Sequence, residues 1–178
     1  QRQTISQASS NFSSESPLRL HRLYFRGARW KIIYFDSTYI VKCYLAEPGT
    51  AEVLALAQSH PGRACALHGR LEFFSALKRH LREGHLSASK AHEVLRQFTR
   101  DEAADLWSFL PLGRSLIESA CMRLEALPHP VLCLAADALH LTCATVNGFD
   151  AIYSNDRHLL RAAPHFGLKG KNVIGEAK

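Results

Sequence analysis

The chain reads as α/β: one α/β/α sandwich built on a mostly parallel sheet of about five strands. Two observations predict this. Short apolar runs at 32–35, 64–67, 106–110 and 151–153 recur along the chain, and segments with helical spacing of apolar residues separate them. Strands alternating with helices form β–α units with right-handed crossovers, which leave a parallel sheet covered on both faces. A third observation lies at the end of the first run: Ile32 to Phe35 gives way to Asp36, then Ser37 and Thr38, and a helical pattern begins. A strand that hands over to a helix through a carboxylate sits where α/β proteins place their chemistry.

Composition narrows the class. At 178 residues the chain is long enough for one domain with a sizeable core, and 47% hydrophobic with 21% charged residues is ordinary for a globular protein. No apolar run approaches the roughly 18–20 residues of a membrane span, so no membrane partner is expected. The five cysteines are odd in number, lack C-x-x-C spacing and lie in apolar segments. They are read as reduced, mostly buried thiols of a cytoplasmic protein, not as a disulfide or zinc framework. The net charge of +6 points toward nucleic acid, but five arginines against one glutamate within residues 1–30 account for four of those charges.

Residues 1–30 also contain six serines and no sustained periodicity. They read as a disordered or non-native extension, with a basic arm for a phosphate backbone as the second reading. The globular part is 31–178. Helices are expected at 37–46, 50–59, 70–82, 87–104, 115–127, 135–146 and 156–163, and a last edge strand at 172–174. Glu47-Pro48-Gly49, His60-Pro61-Gly62, Gly84, Pro128-His129-Pro130 and Asn147-Gly148 punctuate them.

Four acids share one kind of setting. Asp36 follows the first strand, Glu72 is expected in the first turn of the helix after the second, and Asp156 follows the fourth. In a parallel sheet the carboxyl ends of all strands lie on one edge, so these three converge there. Asp137 lies in LCLAADALHLTCA, where an unpaired carboxylate is disfavoured unless something neutralises it. Each has a plainer reading alone: Asp36 and Asp156 as helix caps, Glu72 as a partner of the helix dipole, Asp137 as a protonated or hydrogen-bonded acid. Together they point further. Two carboxylates 4 Å apart repel by about 4 kcal/mol at an effective dielectric of 20, so an ionised cluster needs cations. All-oxygen ligation suits Mg²⁺ or Mn²⁺ rather than Zn²⁺, and the chemistry such ions support at phosphorus is phosphodiester hydrolysis.

The sequence Asp36-Ser37-Thr38 with Lys42, Tyr44 and Glu47-Pro48-Gly49, then Glu72, Asp137-Ala138-Leu139-His140 and Ser154-Asn155-Asp156, resembles a PIN-domain protein over about residues 31–175. It is most similar to the VapC-type toxin ribonucleases of toxin–antitoxin pairs. The resemblance implies an Mg²⁺- or Mn²⁺-dependent endoribonuclease, a homodimer, and inhibition by a cognate antitoxin protein. It also implies that Asp36, Glu72, Asp137 and Asp156 bind the metal, with Ser37 and Ser154 as supporting hydroxyls.

Other groups have two readings each. Lys78, Arg79, His80, Arg82 and His85 form a basic run that serves either as a solvated helix end or as an RNA contact, and Lys42 is either a packed stem or a phosphate contact. His140, one turn after Asp137, is read as a hydrogen-bonded or exposed structural histidine before one that orients an acid or touches phosphate. Phe73, Phe74 and Leu77 read as core or interface, and Leu116, Ile117 and Leu124 as core. No H-x-x-x-H pair supports a zinc hydrolase, and glycine-rich nucleotide loops are missing from the sequence. A phosphotransfer fold fits poorly, because no D-x-D follows the first strand. The rival of a different class is a catalytically silent PIN-like module that binds RNA or a protein.

Overall fold

The first apolar run forms strand β1 (Ile33–Phe35), and all three of its residues are buried. Its side chains alternate across the sheet, as strand geometry requires. Ile33 and Phe35 enter one apolar cluster and Tyr34 the other. The same sorting recurs in β2 (Arg63–Ala66), where Cys65 faces the first cluster and Ala64 and Ala66 the second. In β3 (Trp107–Leu110), Trp107 and Leu110 divide likewise. A strand buried on both sides is what a helix-covered parallel sheet imposes.

This computed structural model describes residues 32–175. The extension at 1–30 therefore lies outside the described residues. The sheet order is β3-β2-β1-β4-β5 with every neighbouring pair parallel, where β4 is Ala151–Tyr153 and β5 is Lys169–Lys171. Helices α1 (Ser37–Tyr44), α2 (Thr50–Gln58), α3 (Leu67–Arg82) and α4 (Ala88–Ala103) contribute Tyr39, Val53, Phe73 and Phe98 to the first cluster. Helices α5 (Arg114–Glu125), α6 (Ala135–Val146) and α7 (Arg157–Ala162) contribute Leu116, Leu141 and Leu159 to the second. The expected α/β/α sandwich with a five-stranded sheet is therefore what the chain forms.

From β1 the chain winds outward to β2 and β3, then returns to the other side of β1 for β4 and β5. The order reverses between β1 and β4. At such a switch point the helices leave to opposite faces and a crevice opens beyond the strand ends.

Three local expectations need correction. The last strand is Lys169–Lys171, not 172–174. All three of its residues are exposed, so it carries no apolar signal, and Gly170 instead lets the edge pass close to α7: a Cβ there would lie 2.9 Å from the Leu160 carbonyl oxygen. Val173 and Ile174 pack on the first cluster, with the Val173 N–H donating to the Tyr39 hydroxyl at 2.9 Å. Second, α3 begins at Leu67 directly after β2, which moves Glu72 out of the first turn. Leu67 extends the apolar run of the strand in sequence, yet it is an exposed helical residue. Third, Ile117 is exposed, against the core place expected of it, and of the cysteines Cys65 and Cys143 are buried while Cys121 is exposed. All five are free thiols.

Phe73 is fully buried and stacks on Phe98 with ring centroids 4.5 Å apart. Phe73→Ala should cost about 3–5 kcal/mol of stability, measured as a fall in the denaturant midpoint with unchanged slope.

Candidate active site

Asp36 leaves β1 at the switch point and is 2% exposed. Its backbone is extended, and it caps α1: Oδ1 accepts from the Tyr39 N–H at 3.1 Å and the Thr38 hydroxyl at 2.7 Å. Oδ2 accepts from the Ser154 hydroxyl at 2.5 Å. Its own N–H donates to the Tyr153 carbonyl at 3.1 Å, joining β1 to β4 a second time. Burial pushes the Asp36 carboxyl up, against the bonds from Ser154 and Thr38 and the charge of His140.

Ser154, fully buried, connects two acids. While donating to Asp36, its oxygen accepts from the Asp156 N–H at 2.8 Å. Asp156 caps α7 through Oδ1, which accepts from the N–H groups of His158 at 2.7 Å and Leu159 at 3.2 Å. The capping readings of Asp36 and Asp156 thus hold, and the Asp36–Ser154–Asp156 chain exists alongside them.

Asp137 stands in the first turn of α6, where Oδ2 accepts from the Leu134 N–H at 3.1 Å. Burial raises its carboxyl, the Leu134 bond opposes that, and the charges of Asp156 and Glu72 push it up further. The charge of His140 pulls the other way.

Glu72 looks in a different direction. From the second turn of α3 its Oε2 accepts from His140 Nε2 at 2.9 Å, with His68 Nε2 at 3.8 Å. Burial would raise this carboxyl, but the His140 bond and charge, the Ser37 hydroxyl and His68 together hold it below its usual value. His140 is buried and its Nδ1 lies 3.3 Å from the Tyr34 hydroxyl, which accepts from the Ala66 N–H at 3.0 Å. The structural, hydrogen-bonded reading of His140 is therefore realised. Gly69 makes room for it, since a Cβ there would strike Cys65 Sγ and come within 3.0 Å of His140 Cε1.

Among the described residues, the set of three metal-ligating side chains whose donor atoms close to within 4.8 Å is His68, Glu72 and His140, not the four acids. Sequence reasoning misses His68. Its signal is the i, i+4 spacing to Glu72, which places both on one helical face. Burial, helped by the charge of His140, lowers the His68 imidazole to about 4, against the opposing pull of the Glu72 carboxylate.

A groove of about 390 Å³ runs beside these groups, lined by Ser37, Thr38, Lys42, Glu47, Glu72, Arg79 and Asn155. Lys42 is 6% exposed, and its ammonium donates to Glu47 Oε2 at 2.9 Å while Glu47 Oε1 meets His80 Nε2 at 3.0 Å. Of the four basic candidates, Lys42 and Arg79 line the groove; Lys78 and Arg82 do not. Buried Asn155 Oδ1 has no hydrogen-bond partner among the described residues.

No protein-family model matches the chain, and no curated protein matches it either. No helix among the described residues is long and apolar enough to cross a membrane.

Burial by itself would raise the Glu47 carboxyl, but Lys42 and His80 take it below its ordinary value. A carboxyl lowered on folding contributes stability above its unfolded pKa and loses it as pH falls through the folded one. Glu47→Gln should therefore cost about 1 kcal/mol at neutral pH, the partial exposure of the pair keeping the figure small. The difference from wild type should close as pH drops below about 4. Paired denaturation curves across pH read this directly.

Proposed function

We propose that the chain is an Mg²⁺- or Mn²⁺-dependent endoribonuclease of the PIN type, acting as the toxin of a toxin–antitoxin pair. The observation that carries this is the placing of acids at the switch-point edge: the Ser154 hydroxyl donates to the Asp36 carboxylate and accepts from the backbone N–H of Asp156, and Asp137 feels the charges of Asp156 and Glu72. An excess of carboxylate charge in a half-buried crevice, all of it oxygen donors, fits a hard divalent cation. Asp36, Asp137, Asp156 and Glu72 would hold it, with water completing the shell, because Mg²⁺ retains several waters and does not require every carboxylate to touch it. When bound, the ion supplies Lewis acidity at phosphorus and lowers the pKa of water.

The chain's own residues do the positioning. Thr38, the Tyr39 N–H and Ser154 fix both oxygens of Asp36, so its orientation does not depend on substrate. Arg79 offers a cation to an RNA phosphate in the groove, while Lys42 is already engaged by Glu47. Water adds to phosphorus, the P–O3′ bond breaks and the proton passes to the leaving oxygen, giving 5′-phosphate and 3′-hydroxyl ends. The resemblance supports a homodimer, a cognate antitoxin and a cytoplasmic location.

A second reading is a silent PIN-like module that binds RNA or protein. What favours it is that the four acids do not close to within 4.8 Å, whereas His68, Glu72 and His140 do.

Incubating the protein with total RNA and Mg²⁺ or Mn²⁺, and mapping new 5′ ends, separates the two. Asp36→Asn and Asp137→Asn should each abolish cleavage while the fold is retained, because burial already favours the neutral form of both side chains. Full activity of Asp137→Asn would sink the metal assignment, and RNA binding without cleavage selects the silent module. In binding assays, Arg79→Gln should shrink the salt slope by about 0.7, the contribution of one single-strand phosphate contact, whereas Lys78→Gln should leave it unchanged.

A further inference from the structure

We infer that His68, Glu72 and His140 form a second metal site, selective for a borderline transition ion such as Zn²⁺ and distinct in chemistry from the acidic set. Two imidazoles and one carboxylate are the donor set of open, three-ligand zinc sites, and imidazole discriminates against Mg²⁺. Bond lengths of about 2.0–2.2 Å put ligand atoms of a tetrahedral zinc site about 3.3 Å apart. Here His140 Nε2 and Glu72 Oε2 are 2.9 Å apart, and His68 Nε2 and Glu72 Oε2 are 3.8 Å apart. The two distances bracket the ideal, and all three donor atoms lie within 4.8 Å of one another.

The supports for such a site are built in. His140 is buried, its Nδ1 faces the Tyr34 hydroxyl, and Gly69 keeps α3 clear of its ring. A hydroxyl both donates and accepts, so when the ring proton that Nε2 donates to Glu72 shifts to Nδ1, Tyr34 can receive it and the Nε2 lone pair is left for a metal. His68 and Glu72 share a face of α3, and Glu72 borders the groove, which leaves a fourth position open to water.

His68 is the residue that a simple hydrogen bond between Glu72 and His140 does not explain. Its ring lies on His140 with centroids 4.1 Å apart, Nε2–H donates to the Ala136 carbonyl at 3.2 Å, and buried Nδ1 has no partner among the described residues, so a metal bound at Nε2 displaces that bond and shifts the ring proton to Nδ1. Glu72 belongs to both sets, so Zn²⁺ here would withdraw it from the acidic cluster. Inhibition of cleavage by Zn²⁺ is the consequence that rests on the ribonuclease reading; metal binding itself does not.

The test is titration of the metal-depleted full-length chain with Zn²⁺ by calorimetry and with Co²⁺ by visible absorption, circular dichroism monitoring the fold. One equivalent of Zn²⁺ should bind and survive excess Mg²⁺, and Co²⁺ should give the intense d–d bands of a four- or five-coordinate site. His68→Ala and Glu72→Gln should each weaken Zn²⁺ at least about tenfold. Lys78→Gln, outside both donor sets, should leave Zn²⁺ affinity unchanged. Absence of binding, or equal affinity in wild type and folded His68→Ala, overturns the site. Zn²⁺ binding by a protein that never cleaves RNA would remove the ribonuclease reading and leave this site standing.

Discussion

The bond from the Ser154 hydroxyl to Asp36, 2.5 Å long and fully enclosed, joins the two strand ends on which the crevice depends. It spans the point where the sheet reverses direction, between β1 and β4. A buried carboxyl without such partners would be strongly disfavoured. With Thr38, Tyr39 N–H and Ser154 around it, both oxygens of Asp36 are satisfied, so the polar group is accommodated under the helices. Ser154 then turns the chain into α7 by accepting from Asp156 N–H. One hydroxyl thus sets the orientation of the first acid and the start of the helix carrying the last.

Around that bond the charges divide into compensated and uncompensated groups. Lys42, Glu47 and His80 form a nearly closed chain at the groove wall, and Glu72 is drawn to His140 and His68. Asp137 feels the charge of His140, but burial and the other carboxylates push its proton affinity up. This imbalance is what a cation from solution would relieve. On the proposals above, two kinds of metal would suit two neighbouring donor sets, one of oxygens and one containing imidazole, with Glu72 between them.

Much of this is legible in the chain. Asp36 and Asp156 read as caps at strand ends because a carboxylate before a helical pattern has a local cause, and both cap as expected. Phe73 and Leu77 read as core from helical spacing, and both are buried. The edge strand at Lys169–Lys171 is not legible, since exposed residues carry no alternation and its place depends on pairing with β4. Lys78 and Arg82 look equivalent to Arg79 in a basic run, but the turn of α3 relative to the groove selects Arg79.

By itself the sequence determined the α/β class, the parallel sheet and the acids at strand ends, because periodicity and capping are properties of a few neighbouring residues. The tertiary structure alone decided the company each acid keeps. His68, Glu72 and His140 come from two helices and meet only because Gly69 lets α3 approach α6 over the end of β2. Contacts between residues about seventy positions apart follow from how helices pack on the sheet, and no local pattern encodes them.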